Sequence, residues 1–179
     1  MIIIRPALAD DLDDILDIHR HAFGSDTEAD LVAALHKDPS AEPILSLAAV
    51  ENNILQGHIL FTRAYLNNQS SPLMHILAPM AVNPGAQHRG IGMMLIQRGL
   101  GQVRDAGSKL VFVLGYPEYY PRSGFLTDAE GYGFTAPYPI PEEHADAWMV
   151  YAFDPADLDR YDGRVTCSDT LMKPEYWVD

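Results

Sequence analysis

Hydrophobic and polar positions change their spacing several times along the chain, and each change marks an element. The opening "IIIRPA" is a β-branched run closed by Pro6, the pattern of a short strand. In "DDLDDILDIHRHAF" the residues Leu12, Ile15, Leu16, Ile18 and His19 fall near one helical face, and the leading aspartates suit the positive end of a helix. A second short helix is predicted from Thr27, whose hydroxyl can cap the first amides while Asp30 completes a capping box. The stretch "ILSLAAVENNILQGHILFTRAYL" reads as two strands joined at Glu51-Asn52-Asn53, because asparagine tolerates the positive φ of tight hairpin turns.

After the polar loop "NNQSSP", a third strand is predicted over roughly 73–82. Pro79 inside it marks a bulge or an edge, since proline cannot donate to a ladder. Apolar positions at 93, 96, 100 and 103 predict a helix from about 90 to 106. "LVFVLG" at 110–115 has the continuous apolar character of a strand buried on both faces. The strand, helix, strand order therefore predicts a right-handed parallel crossover. Prolines at 117, 121, 137, 139 and 141 then break the chain into turns, and "AWMVYAF" at 147–153 supplies one more strand. The tail after Asp154 is expected to wrap the surface, with "RVTCSD" able to add an edge strand. With no internal repeat and no linker, the expectation is one domain over 1–153 and a C-terminal extension, 154–179, packed on it.

Composition narrows the classes. A chain of 179 residues that is 47% hydrophobic and 21% charged suits a single domain with a real core. A net charge of −13 argues against nucleic acid or an anionic membrane as partner and favours cationic or amine-bearing molecules. The longest apolar runs, 110–115 and 44–50, are far shorter than the roughly 20 residues that cross a bilayer. No secretion signal is visible, and the lone Cys167 excludes an intrachain disulfide and suits a reducing compartment. The expected location is cytoplasmic.

The densest chemistry lies in "VNPGAQHRGIGMMLIQRGL", 82–100. If a strand ends near Val82 and a helix begins near Gly90, the first-turn amides have no intrahelical acceptors and form an anion site reinforced by the helix dipole. Glycines at 90 and 92 let a ligand approach the backbone, and Gln87, His88 and Arg89 can add side-chain donors. A Walker A loop is excluded because Ile91 stands where its lysine belongs. A dinucleotide fingerprint is disfavoured because Leu95 occupies the third glycine position.

The pattern Gln87-x-x-Gly90-x-Gly92, between a strand and an amphipathic helix, resembles the acetyl-CoA-binding motif of the GCN5-related N-acetyltransferase (GNAT) family. Downstream, Tyr120-x-x-x-Gly124-Phe125 is similar to the Tyr-x-x-x-Gly-Phe pattern of that family's second half, and the element order matches over residues 1 to about 153. The resemblance implies an α/β fold with a mixed, mostly antiparallel central sheet, one parallel strand-helix-strand unit and flanking helices. It implies acetyl-CoA as acyl-donor substrate, with the backbone of Met80, Ala81 and Val82 pairing with pantetheine and amides from Gln87, His88, Arg89, Gly90, Ile91 and Gly92 holding the pyrophosphate. Pro79 is where the family's strand bulge would fall, and homodimers are common among relatives.

Direct transfer of acetyl to an amine requires a deprotonated amine, donors for the developing oxyanion and a proton for the departing thiolate. By resemblance Tyr120 supplies that proton, with Tyr119 as its adjacent alternative. A phenol of pKa near 10 is suited to this, being protonated at neutral pH. The base stays open between Glu118, His58, His75 and a water chain. No enzyme nucleophile is required, so Cys167 is read as structural. No metal site is assigned, because His19 and His21 lie two apart on a helix and point to different sides. The acceptor, a small-molecule or peptide amine, is expected to meet 21–44 and the proline-rich 136–144. Two other readings stand beside this one: a non-catalytic acyl-CoA-binding or sensing module, and a different nucleotide-binding α/β protein.

Overall fold

The computed structural model describes residues 1–178. Its strands and helices follow in the order β1 (Ile3–Pro6), α1 (Leu12–Phe23), α2 (Thr27–Leu35), β2 (Leu45–Glu51), β3 (Ile54–Leu66), β4 (Gln69–Val82), α3 (Ile91–Asp105), β5 (Leu110–Leu114), β6 (Phe134–Thr135), β7 (Trp148–Ala152), α4 (Asp157–Arg160) and β8 (Gly163–Cys167). The main sheet runs β1-β2-β3-β4-β5-β7, antiparallel except for the parallel β4–β5 pair that α3 connects. This is the α/β architecture with a mixed, mostly antiparallel sheet that the sequence led us to expect.

Two faces of the sheet are covered for different reasons. Ile91, Leu95, Ile96, Leu100 and Val103 give α3 an apolar stripe, which packs on Leu47, Ile59, Phe61, Leu77, Val111 and Val113. On the other face, Ile15 and Ile18 of α1 and Val32 of α2 meet Ala48, Val50, Leu55 and Ala81. His19 is also buried on α1 whereas His21 is exposed, as their spacing required.

Two local expectations are corrected, and a third, the strand offered by "RVTCSD", is met and exceeded. Thr27 is the first residue of α2 rather than its cap: Asp26 holds the cap position, no side chain bonds the free amides there, and the capping box with Asp30 does not form. "NNQSSP" is not an open loop, because Asn67 and Asn68 both adopt positive φ (54° and 60°) and make a tight turn that starts β4 at Gln69. The tail does more than wrap the surface. Cys167, Thr166 and Val165 of β8 pair with Ala64, Tyr65 and Leu66 of β3, beyond Phe61, where the pairing with β2 begins at Leu45, and Trp177 is buried against Trp148. Residues 154–178 thus complete the sheet and one core.

Candidate active site

Where β4 and β5 stop pairing, the sheet opens. Their ladder joins Met74, His75 and Ile76 to Leu110, Val111 and Phe112 and goes no further among the described residues. On its other edge β4 carries an irregularity: the register with β3 passes from Phe61–Leu77 to Ile59–Met80, so that Leu60 faces both Ala78 and Pro79. This is the bulge expected at Pro79, and extra residues on one strand bend it away from its neighbour. A gap therefore separates 77–82 of β4 from Val113 and Leu114 of β5.

Strand parity decides which groups face that gap. Asn83 N donates to Gln56 O, so Gly57–Val82 is a pair without mutual hydrogen bonds, and His58–Ala81 is the bonded pair between it and Ile59–Met80. Met80 and Val82 therefore turn their backbone polar groups to the open edge. Ala81 does not: its backbone is engaged with His58 and its methyl is buried under α1, which removes it from the three residues expected to pair with pantetheine.

At the end of β4 the chain makes a single turn over Pro84–Ala86 and reaches α3 through His88 and Gly90, both in the left-handed region (φ 66° and 81°). The first intrahelical acceptor is Gly90 O, bonded by Met94 N, and the amides from His88 to Met93 have no protein acceptor among the described residues. They form a row of donors at the positive end of a 15-residue helix. The flanking side chains are differently employed than expected. Gln87 Nε2 donates to Val82 O at 3.2 Å, and Arg89 makes a two-pronged ion pair with Glu51, at 3.0 and 2.7 Å. Ile91 is sealed in the core, so it can contribute only its amide. His88 keeps an exposed side chain with no hydrogen bond among the described residues.

The tyrosines close the gap from the β5 side. Tyr120 packs its ring on Gly115 and edge-on to Phe125 and Tyr119, burying all but 9% of the residue. Its hydroxyl has no hydrogen-bond partner among the described residues and is not sealed from solvent, so it reaches an accessible edge. Burial pushes its pKa above the usual phenol value, which keeps the proton on oxygen throughout the neutral range. The Tyr119 hydroxyl lies instead against Gly92, in the first turn of α3.

The candidate bases fare unequally. His75 is buried below the gap, where its Nδ1 donates at 2.9 Å to Ser108 Oγ, and burial draws its pKa down to about 4. His58 is fully buried on the α1 face, with Nδ1 2.9 Å from His19 Nε2 and Nε2 2.7 Å from Ser46 Oγ. Desolvation lowers it well below the usual imidazole range, and His19 to about 4. Neither His58 nor His75 faces the opening. Glu118 is exposed on the loop beside it. The chain of Ser46, His58 and His19 escaped the sequence reading, since residues 39 apart on a helix and a strand share no periodic signal. Among the described residues no group of three or more metal-ligating side chains comes together.

Known proteins resemble this chain throughout. The model of the acetyltransferase (GNAT) domain family matches residues 3–127. YjhQ, an uncharacterized N-acetyltransferase of Escherichia coli K12, is 48% identical over 160 residues, 89% of this chain and 88% of that protein. The crystal structure of the GNAT-family N-acetyltransferase YhbS of Escherichia coli in complex with CoA superposes with a TM-score of 0.87 at 25% identity, covering 96% of this chain and 92% of that one. A GNAT-family acetyltransferase of Brucella melitensis in complex with acetyl-CoA gives 0.77 at 28% identity, covering 96% and 98%.

Proposed function

The chain belongs to the GNAT acetyltransferase family, and from that membership we propose that it transfers acetyl from acetyl-CoA directly to an amine of a small molecule or peptide. The observation that carries this reading is the continuity of the β4–β5 gap with the free amides of 88–93. A pyrophosphate on those amides would let the pantetheine arm run along Met80 and Val82 as an extra strand, ending near the bulge at Ala78 and Pro79. Two relatives that hold CoA and acetyl-CoA support the same use of the gap here.

The thioester brings its own activated acyl group, so the protein's work is placement and proton transfer. Backbone donors hold the phosphates, the outward backbone groups of Met80 and the Val82 amide fix the arm, and Tyr120 gives its proton to the departing thiolate. Cys167 has no part in this: it is buried in the core, and desolvation pushes its thiol far from the reactive thiolate form. With His58 and His75 sealed, the amine's proton leaves through Glu118 or water. Glu118, exposed beside the opening, gives it an acidic group that suits a cationic amine.

The experiment is a panel of amines with acetyl-CoA, following release of free thiol. Thiol release with at least one amine is the expected result. The sealed histidines favour one second reading, a module that binds acyl-CoA without transferring it, and thermal stabilisation by acetyl-CoA with no thiol release from any amine would select it. Stabilisation by ATP or NAD but not by acetyl-CoA would overturn both; at 100 times its Kd a ligand adds roughly 2.7 kcal/mol, well within reach of a melting curve.

A further inference from the structure

Glu51 is a carboxylate placed beside an anion site. It ends β2 at the hairpin tip, 38 residues before Arg89, and takes both prongs of that guanidinium. Simple electrostatics gives it a negative role: it neutralises the one arginine of the phosphate loop and adds repulsion toward a pyrophosphate. The geometry points to the opposite. We infer that Glu51 is a positioning residue for the CoA site, tying the 87–90 loop to the β2–β3 hairpin through Arg89 so that the amides from His88 to Met93 face one way; this rests on the reading of that loop as the pyrophosphate cradle.

Three observations support it. First, the loop has few other anchors. Between the buried Ala86 and the buried Ile91 every residue is exposed, and among the described residues Gln87 Nε2 to Val82 O is its one other side-chain tether. Second, the conformation that aligns the amides is an uncommon one, because His88 sits at φ 66°, in the left-handed region that only a few per cent of non-glycine residues occupy, histidine more readily than most. A non-glycine residue stays there when its surroundings hold it. The ion pair acts on the next residue. Third, the partner end is rigid: Glu51 pairs with Ile54 across a turn in which Asn52 and Asn53 both take positive φ, and Val50 and Leu55 behind it are buried. A two-pronged arginine–carboxylate pair fixes orientation as well as distance, which a single lysine contact would not.

The two accounts predict opposite signs, so one titration separates them. CoA is titrated into the wild type and into Glu51→Gln, Glu51→Asp, Arg89→Gln and the double variant Glu51→Gln/Arg89→Gln, and KM for acetyl-CoA and kcat are measured with any amine the panel identifies. Positioning predicts that Glu51→Gln weakens CoA about threefold, the scale of an exposed ion pair, although it removes a negative charge. It also predicts that KM rises while kcat at saturation holds, that the aspartate recovers part of the affinity, and that the double variant binds no worse than Arg89→Gln. Both groups are solvent-facing, so the melting temperature should stay within a degree or two. Wild-type protein that binds CoA while Glu51→Gln binds it equally or more tightly overturns the positioning role alone. Wild-type protein that takes up no CoA overturns the reading of the site and this inference with it.

Discussion

Three glycines lie in α3, and a methyl group added at each meets different surroundings. At Gly92 it would overlap the Tyr119 hydroxyl and lie 3.4 Å from Met80 Cε. At Gly101 it would meet nothing within 4 Å. Both substitutions remove glycine's backbone entropy in a helix, worth up to about 1 kcal/mol, less in the first turn. For Gly101→Ala that gain stands alone, so the melting temperature should rise by about 2–4 °C with CoA affinity unchanged. For Gly92→Ala the gain is offset by moving Tyr119, a half-buried ring that can rotate, and net stability should stay within about 1 kcal/mol of wild type. Its effect falls on the cradle. Residue 92 supplies one of the free first-turn amides, and the new methyl, with the displaced tyrosine, stands where a phosphate would approach. Losing one hydrogen bond to a charged group costs about 1.5–3 kcal/mol, which is roughly a 10- to 100-fold loss of CoA affinity. Titration calorimetry with CoA on both variants, beside their melting curves, is the assay. CoA binding to Gly92→Ala at wild-type strength would refute the placement of the phosphates, and equal losses in both variants would show that α3 as a whole, rather than its first turn, governs affinity.

Tyr120→Phe should lower kcat by about 100-fold with little change in CoA affinity, and if Tyr119→Phe carries that loss instead, the acid is Tyr119. Gly99→Ala should lower the melting temperature by several degrees, because its methyl would fall 2.6 Å from Cζ of the fully buried Phe61, and overpacking of about 1–3 kcal/mol outweighs the helix gain. Stability should decline as pH falls from about 6.5 to 4, since His19 and His75, drawn down to about 4, and His58, held well below the usual imidazole range by burial, are neutral when folded while the unfolded chain takes up protons. Denaturant titrations across that range check it, and a slope unchanged in His19→Gln would count against the buried pair. Trp177→Ala should cost about 3–5 kcal/mol, and a chain ending at 153 should lack a cooperative melting transition, for both open the core that Trp148 and β8 share.

What the sequence disclosed was whatever a local period or a turn residue encodes. The apolar stripe of α3, the unbroken run of β5 and the asparagines at 52 and 53 each report on neighbours a few residues away, and all three elements formed where expected. Asn67 and Asn68 carried the same turn signal, but the polar residues after them masked it, and β4 starts earlier than its apolar pattern does. Of the C-terminal strands, β6, with two residues, gave no signal, while "RVTCSD" offered β8 without showing its place, the edge of β3 beyond Phe61 that β2 leaves free. The gap between β4 and β5 is defined by where pairing ends, which no single strand's sequence states. Tyr120 was legible through its motif, while the Ser46, His58, His19 chain and the Glu51–Arg89 pair depend on contacts across the fold.

These last contacts bear on how a chain of net charge −13 can take a polyanion. The cationic side chain nearest the cradle is already matched by a carboxylate, so the site's positive potential comes from aligned amides and the dipole of α3 rather than from lysine and arginine. Backbone donors need a conformation more than a particular set of charged side chains. On the proposed function, that makes the cradle tolerant of sequence change and leaves the rest of the surface free to be acidic. It also fits a relative that shares 25% of its residues, superposes at a TM-score of 0.87 and holds CoA. In such a site the residues that matter most are those that set the backbone: the bulge at Pro79, glycine at 90 and 92, and the hairpin that steadies Arg89.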